Sequence, residues 1–447
     1  LTDLARLLVS RPATLAALTV LLVCVPVGAS YLPIPPPVTA ADLGAACLVG
    51  AAGLRVLAGD RLPRSRLWLA VAAVAVGVGI SAIASPDPAG SAIGLVRYLQ
   101  IFVLVPVATV LVVRDRRDIW LVCGAVLVAA TVEGAVGVWQ SLTGMGASYG
   151  NREVRAVGTF GALQVMGMAI VVGYGVVLAF GLAVVHRAAR ARALLFVLGA
   201  LLVVPLLLSL SRGALIATLC ATAAMLVAAS PRLAVRAAAL GAGATVAAAT
   251  VAAAAVPAGT GLVGARLASV GTISSAPDRS ITDRFDLWRT ATDMWRDHPL
   301  AGVGLKLFPG YRDSYAPMSL SSGSDVADPA IGFLREPLLS PHNMYLLVLS
   351  EQGLIGALAL LALLLGVAVM TVRRTVSARD GAAPPDGSTS DGRIVSAAAV
   401  GVITWTLVNF VYGDIGGSTT VLMSVLLGLA MWWAVQPPAG VHKAGAR

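Results

Sequence analysis

Along most of the chain, apolar runs of about 18 to 25 residues alternate with short polar connections, and each run can cross a hydrocarbon core of about 30 Å as a helix. Twelve such runs stand out, at approximately 14–33, 38–57, 67–85, 93–113, 119–141, 158–185, 193–210, 213–230, 234–257, 350–372, 394–413 and 418–435. Ala, Val, Leu and Gly dominate them, and their small residues let helices approach closely. The pattern predicts an all-α integral membrane protein of about 12 transmembrane helices.

One interruption breaks the alternation. Residues 258–341 form a long polar segment, which divides the chain into 1–257 with nine spans, the loop 258–341, the last three spans in 342–436, and a tail at 437–447. Within the loop, TDRFDLWRTATDMWRDHP predicts a helix over about 282–298, capped by Thr282 or Asp283 and closed by Pro299. Phe285, Trp288, Thr292 and Trp295 recur at spacings of three and four, giving an apolar stripe for the membrane interface, with Arg284 turned inward beside Trp295. The two tryptophans seat this helix at the interface. Gly302, Gly304 and Gly310 predict tight bends, and 319–330 reads as a lid or loop tip. A linker at 373–393 is rich in Gly, Pro, Ser and Asp over 375–392 and carries no evident chemistry.

Composition sharpens the class. With 58% hydrophobic and 12% charged residues, the chain lies far from soluble domains, where about a quarter of residues are charged. The net charge of +10 does not point to nucleic acid, because the basic residues collect in alternate connections. They fall at Arg55, Arg61, Arg64 and Arg66, at Arg114, Arg116 and Arg117, at Arg187, Arg190 and Arg192, at Arg232 and Arg236, and at Arg373, Arg374, Arg379 and Arg393, with Lys443 and Arg447 on the same side. The opposite short connections hold Arg152, Arg155 and Arg212. This asymmetry predicts cytoplasmic termini and an inner-membrane protein whose long loop is extracytoplasmic. The first span follows Arg6 and Arg11 without a small-residue cleavage site and reads as a retained helix. Cys24, Cys47, Cys123 and Cys220 read as small buried apolar residues. Three charges fall inside spans: for Arg97 and Glu133 a function and a buried ion pair are equally open, as is a role for Asp42.

The candidate chemistry lies at the outer edge. In SPHNMYLLVLSEQGLIG (340–356), Ser340 as cap and Pro341 in the first turn place His342 at a helix start, where an imidazole of ordinary pKa near 6.5 can accept a proton. Arg212 stands in a short turn between spans, and Arg284 begins the interfacial helix, whose free N–H groups favour anions. Arg289 and Arg296 compete with Arg284 for that role, Arg155 and Arg152 are further anion contacts, and His298 reads as structural. Polar motifs gathered at one surface favour group transfer over a transporter or flippase, and over a receptor or scaffold, which would not need His342.

His342 and Asn343, followed by nine residues, Gly353, two residues and Gly356, resemble the histidine motif of the O-antigen ligase superfamily, which includes O-antigen polymerases and pilin oligosaccharyltransferases. RAVGTFGALQ (155–164), SLSRGAL (209–215) and RFDLWRTATDMWRDHPLAGVGLKLF (284–308) resemble further family stretches in the same order, so the likeness covers roughly 155–370. Ala357 after Gly356, and no Asn-Pro-Asn after Thr159-Phe160, depart from the ligase form and bear on subtype. The resemblance implies a GT-C-like fold with a partly helical outer loop, and transfer of a glycan from a polyprenyl-diphosphate donor to a hydroxyl of a glycan, lipid or protein acceptor. It assigns His342 as base or acceptor-orienting group, and Arg212 and Arg284 as diphosphate ligands; beside these, Arg155, Arg152, Asn343 and Arg289 are candidate substrate contacts read from their positions. The transfer it implies is inverting and metal-independent, with no cofactor.

Overall fold

The computed structural model describes residues 11–26, 38–149, 154–161, 164–186, 188–229, 232, 279–320, 324–328, 332–336, 338–380 and 389–436. The expected span at 234–257, the first part of the polar loop, Arg152 and the tail lie outside them.

The described chain is an all-α integral membrane protein. Eight of its helices are long and apolar enough to cross a membrane: α2 (Ala40–Leu57), α3 (Leu67–Ala84), α4 (Pro88–Val112), α5 (Arg116–Thr143), α6 (Gly167–Val185), α7 (Ala189–Leu208), α8 (Arg212–Ala229) and α11 (Met344–Asp380). Shorter apolar segments are α1 (Ala13–Leu21, continued by a 3-10 turn to Cys24), the Ser396–Asn409 part of α12 (Thr389–Asn409), and α13 (Thr419–Val435). Two further helices, α9 (Arg279–Asp297) and α10 (Phe308–Tyr315), belong to the polar loop. The ends follow local chemistry. Thr39 and Asp42 form a capping box on α2, Asp87 caps α4 just before Pro88, and Gly144 closes α5 in the left-handed region at φ 72°.

Enclosure separates the layers: α6 is 83% buried, whereas α7 is 22% buried and faces outward. Around α6 pack α5, α7, α8 and α12. Small residues make the closest crossings, as at Gly173, where an added Cβ would lie 2.8 Å from Nε1 of Trp405. That fully buried indole donates to Thr218 Oγ1 at 3.0 Å and packs on Tyr174, whose hydroxyl meets Thr406 Oγ1 at 2.8 Å.

Connections between antiparallel helices gather at two ends. At one, Ala156 N–H donates to the Leu208 carbonyl (3.2 Å), Ser85 Oγ to Val303 (3.4 Å) and Met344 N–H to Gly413 (3.0 Å). At the other, the Arg374 guanidinium donates to the Gln436 carbonyl and lies over the Trp433 ring, and Trp120 meets His186. The family-like stretches all lie at the first end.

Four short strands add to the expected helices: β1 (Ala147–Tyr149), β2 (Val154–Arg155), β3 (Ser324–Asp328) and β4 (Gly332–Glu336), in the antiparallel order β2-β1-β3-β4. Part of the stretch expected as a lid or loop tip is therefore β3, which pairs on both sides and ties the polar loop to the connection between α5 and α6.

Two expectations are corrected and one open question is settled. The deeply buried face of α9 is Asp283, Leu287, Thr290, Ala291 and Met294, rotated from the expected stripe; Phe285 is 60% exposed and Trp288 and Trp295 are half-buried. The aliphatic face packs with Val303, Phe308, Leu320, Leu338 and Leu347, leaving the bulkier rings at the border. Arg97 pairs with Asp42, not Glu133, whose carboxylate accepts from Thr159 N–H (2.9 Å) and Oγ1 (2.6 Å). Of the cysteines expected to be buried, Cys47 and Cys220 are exposed on the helix surface, where lipid accommodates an apolar thiol as a core does.

Candidate active site

The segment before α11 does not form the expected helix start. His342 has φ 48°, a left-handed backbone, and its N–H donates to Ser340 Oγ at 3.1 Å. The helix begins at Met344, and Asn343 caps it, accepting from Leu346 N–H through Oδ1 at 3.1 Å. Ser340 thus braces the turn, and Asn343 spends its carbonyl on the cap. His342 is held outside the helix, half-buried.

Two contacts fix that turn. Trp288 Nε1 on α9 donates to the Pro341 carbonyl at 2.9 Å, and Met344 N–H donates to the carbonyls of Phe410 (2.8 Å) and Gly413 (3.0 Å). The 410–418 loop between α12 and α13 is therefore the floor of the site. Arg284 reaches it from α9, donating to the Tyr412 carbonyl at 3.0 Å. The start of α8 reaches it too: a Cβ at Gly213 would lie 2.6 Å from Cβ of Tyr412, so only glycine lets Arg212 and its helix come this close. The structure thus brings the backbone positions of Arg212, Arg284 and His342 onto one loop.

Sequence reasoning missed Asp414 in that loop. Its carboxyl takes hydrogen bonds from the backbone of His342 and from its own amide, while Oδ2 is buried without a partner among the described residues. Burial pushes this carboxyl up to about 7, against the pull of the His342 backbone and Arg284. Burial, and then the Arg284 charge, push the His342 imidazole down to about 4. At neutral pH the ring is neutral, with a lone pair to accept a proton. The available signal was VYGDIGGS at 411–418, a Gly-rich polar break between the last two apolar runs with one acid in it.

Other stretches converge here. Ser211 Oγ lies 3.4 Å from Met166 Sδ, and Gln164 packs against Gly417, where a Cβ would fall 2.2 Å from its Oε1. Arg155 is half-buried on β2, next to Ala156, which bonds Leu208. Arg289 is not brought in: it is 82% exposed and faces Asp293, which also pairs with Arg296. His298 packs its ring against Tyr311 in the loop core.

Residues 299–308 are locked to α11. Val303 and Gly304 N–H donate to the Ser350 and Glu351 carbonyls (2.9 and 3.0 Å), and Leu354 and Ile355 N–H donate back to Pro299 and Leu300 (2.8 and 3.2 Å). This docking explains Gly353, at φ 62° and ψ −161°, where a Cβ would lie 2.3 Å from the Leu300 carbonyl. Glu351, 2% exposed, accepts from Phe308 N–H and Tyr98 OH, each at 3.2 Å. Among the described residues, the non-glycine positions with left-handed backbone are Leu210, Lys306 and His342, all in family-like stretches. Each costs about 1–2 kcal/mol and persists only where its surroundings enforce it.

Fold and site together define a polytopic helical membrane protein with a polar, partly strained reaction-like site at one end of the bundle. Residues 194–361 match the family model described as O-antigen ligase. That stretch, less than half of the chain, is similar to the O-antigen ligase family. The matched segment contains Arg212, Arg284 and His342, whereas 155–164 and Asp414 lie outside it. No curated protein matches the chain.

Proposed function

We propose that the protein moves a glycan from a polyprenyl-diphosphate donor to an acceptor hydroxyl at the extracytoplasmic face of the inner membrane, both termini being cytoplasmic. The observation that carries this reading is the meeting of the Arg284 guanidinium, the neutral His342 imidazole and the start of α8 on the 410–414 loop. A diphosphate needs cations that stay charged, and Arg supplies them with a fork that fits phosphate oxygens. Arg212 and Arg284 bind it and stabilise the charge that grows on it as it leaves. Arg155 and Arg152 are secondary contacts.

In the reaction the acceptor O–H gives its proton to His342 while its oxygen bonds to the anomeric carbon. The bond from that carbon to the phosphate oxygen breaks, and its electrons leave with polyprenyl diphosphate. Attack opposite the leaving group inverts the anomeric centre, and the donor's own phosphoester bond supplies the driving force without a metal or cofactor.

In liposomes with purified donor, His342→Ala should abolish transfer while insertion and donor binding persist. Full turnover by that variant would remove the base assignment. Glycolipids that accumulate in a deletion strain separate subtypes: long undelivered chains indicate a ligase, single units a polymerase.

A further inference from the structure

A second polar site lies at the same end of the bundle, on the 415–417 part of the floor loop. It is a cavity of about 470 Å³ between α2, α4, Lys306 and Ile415–Gly417; none of Arg212, Arg284 and His342 lines it. Its interior is built from a polar network. Asp42 accepts from Thr39 N–H (2.9 Å), Thr39 Oγ1 (2.7 Å), Gln100 Nε2 (3.0 Å) and Arg97. Arg97 also donates to Gln100 Oε1 (3.1 Å) and the Gly417 carbonyl (2.8 Å). A π-turn over Gln100–Leu104 interrupts α4 at this network, an irregularity that recurs at functional sites.

Among the side chains that line the cavity, one positive charge is left over. Asp42 is matched by Arg97, and Lys306, which also lines the cavity, is exposed, with no side-chain hydrogen bond or ion pair among the described residues. Its backbone is held in the left-handed region at φ 59°, where it hydrogen-bonds the buried Glu351 carboxylate. The rim is apolar: Ile93 and Val96, on the membrane-spanning α4, are 64% and 67% exposed. A cationic pocket opening beside a lipid-facing helix surface suits a molecule with an anionic head and an apolar chain.

We propose that this cavity is a second anion subsite, separate from the Arg284–His342 cluster, and that it takes the phosphate head of a membrane amphiphile. Lys306 supplies the uncompensated charge, and the Ile93–Val96 surface carries the chain. The assignment concerns binding alone and holds whether or not glycan transfer is observed.

The test titrates the full-length protein in micelles with dioleoyl phosphatidic acid, diacylglycerol or inorganic phosphate, read by native mass spectrometry. Phosphatidic acid should bind and diacylglycerol should not. Lys306→Glu should weaken binding by about tenfold or more, Lys306→Arg should restore it, and Arg284→Gln should leave the Lys306-dependent component in place. Lys306 is exposed, so both of its variants keep the fold, which a monodisperse elution profile checks. Binding unchanged by Lys306→Glu, or wholly lost with Arg284→Gln, overturns a separate subsite. Inorganic phosphate displacing the lipid at equal concentration overturns the amphiphile and makes the ligand a free anion.

Discussion

Asp414 and His342 should make opposite and nearly cancelling contributions to stability as pH changes, and replacing either one should expose the other. His342 is held down to about 4, so between there and its ordinary 6.5 the unfolded chain carries a proton on this ring that the folded protein lacks. Its contribution is present above 6.5 and lost as pH falls toward 4. Asp414 is held up to about 7 from 3.8, so in that interval the folded protein carries the extra proton. Its contribution is present below 3.8 and lost as pH rises through 7. One proton is worth about 1.4 kcal/mol per pH unit, so the trend amounts to about 3–4 kcal/mol for His342 and about 4–5 kcal/mol for Asp414 across their windows. Asp414→Asn should therefore gain stability by that order between pH 4 and 6.5, whereas His342→Asn should lose it as pH rises over the same range. The assay is denaturant unfolding in mixed micelles at pH 4.5, 5.5 and 6.5. Parallel pH profiles for wild type and both variants would refute the burial argument for this pair.

Other positions give separate checks. Gly353→Ala places a Cβ against the Leu300 carbonyl in a left-handed backbone and costs the two return hydrogen bonds, about 3–4 kcal/mol together; an unchanged unfolding midpoint would contradict the docking of 299–304. Trp288→Phe removes the bond to Pro341 and should lower kcat severalfold with donor affinity retained, which steady-state transfer and donor titration separate. Glu351→Gln sets an amide N–H₂ among the donors that met a carboxylate and should destabilise the 302–308 turn by about 1–3 kcal/mol, read as faster amide exchange there. The kcat/KM profile should lack an acid limb near 6.5 and fall only toward pH 4, because it reports His342 in the free enzyme; a limb at 6.5 would show an unburied ring.

Helices were legible because lipid leaves an apolar run of the right length little choice, and α2 to α8 follow the runs read from the chain. What the pattern could not give was pairing between distant segments. The strands are too short to carry a period, and β3 finds β1 across the whole of α6 to α10. Arg97 found Asp42 rather than Glu133 because partners are set by which helices pack, not by hydropathy. The α9 stripe was misread because aromatic rings count as apolar by composition yet sit half-buried at a border. His342, Arg212 and Arg284 stood out through motif and placement. Asp414 did not, since one acid in a short loop looks like ordinary solvation until the fold buries its oxygen. Gly353 showed as a spacing, and its reason, the 299–304 segment lying against it, needed the structure.

The central claim is that a sugar's lipid-diphosphate handle sits between two arginines with its anomeric carbon turned to an imidazole. A cryo-EM structure with a non-hydrolysable polyprenyl-diphosphate sugar tests it most directly. Phosphate oxygens should lie within hydrogen-bond reach of both Arg212 and Arg284, with the sugar facing His342 above the 410–414 loop. A diphosphate seated elsewhere, with the Arg284 guanidinium still bonded only to protein, would contradict it.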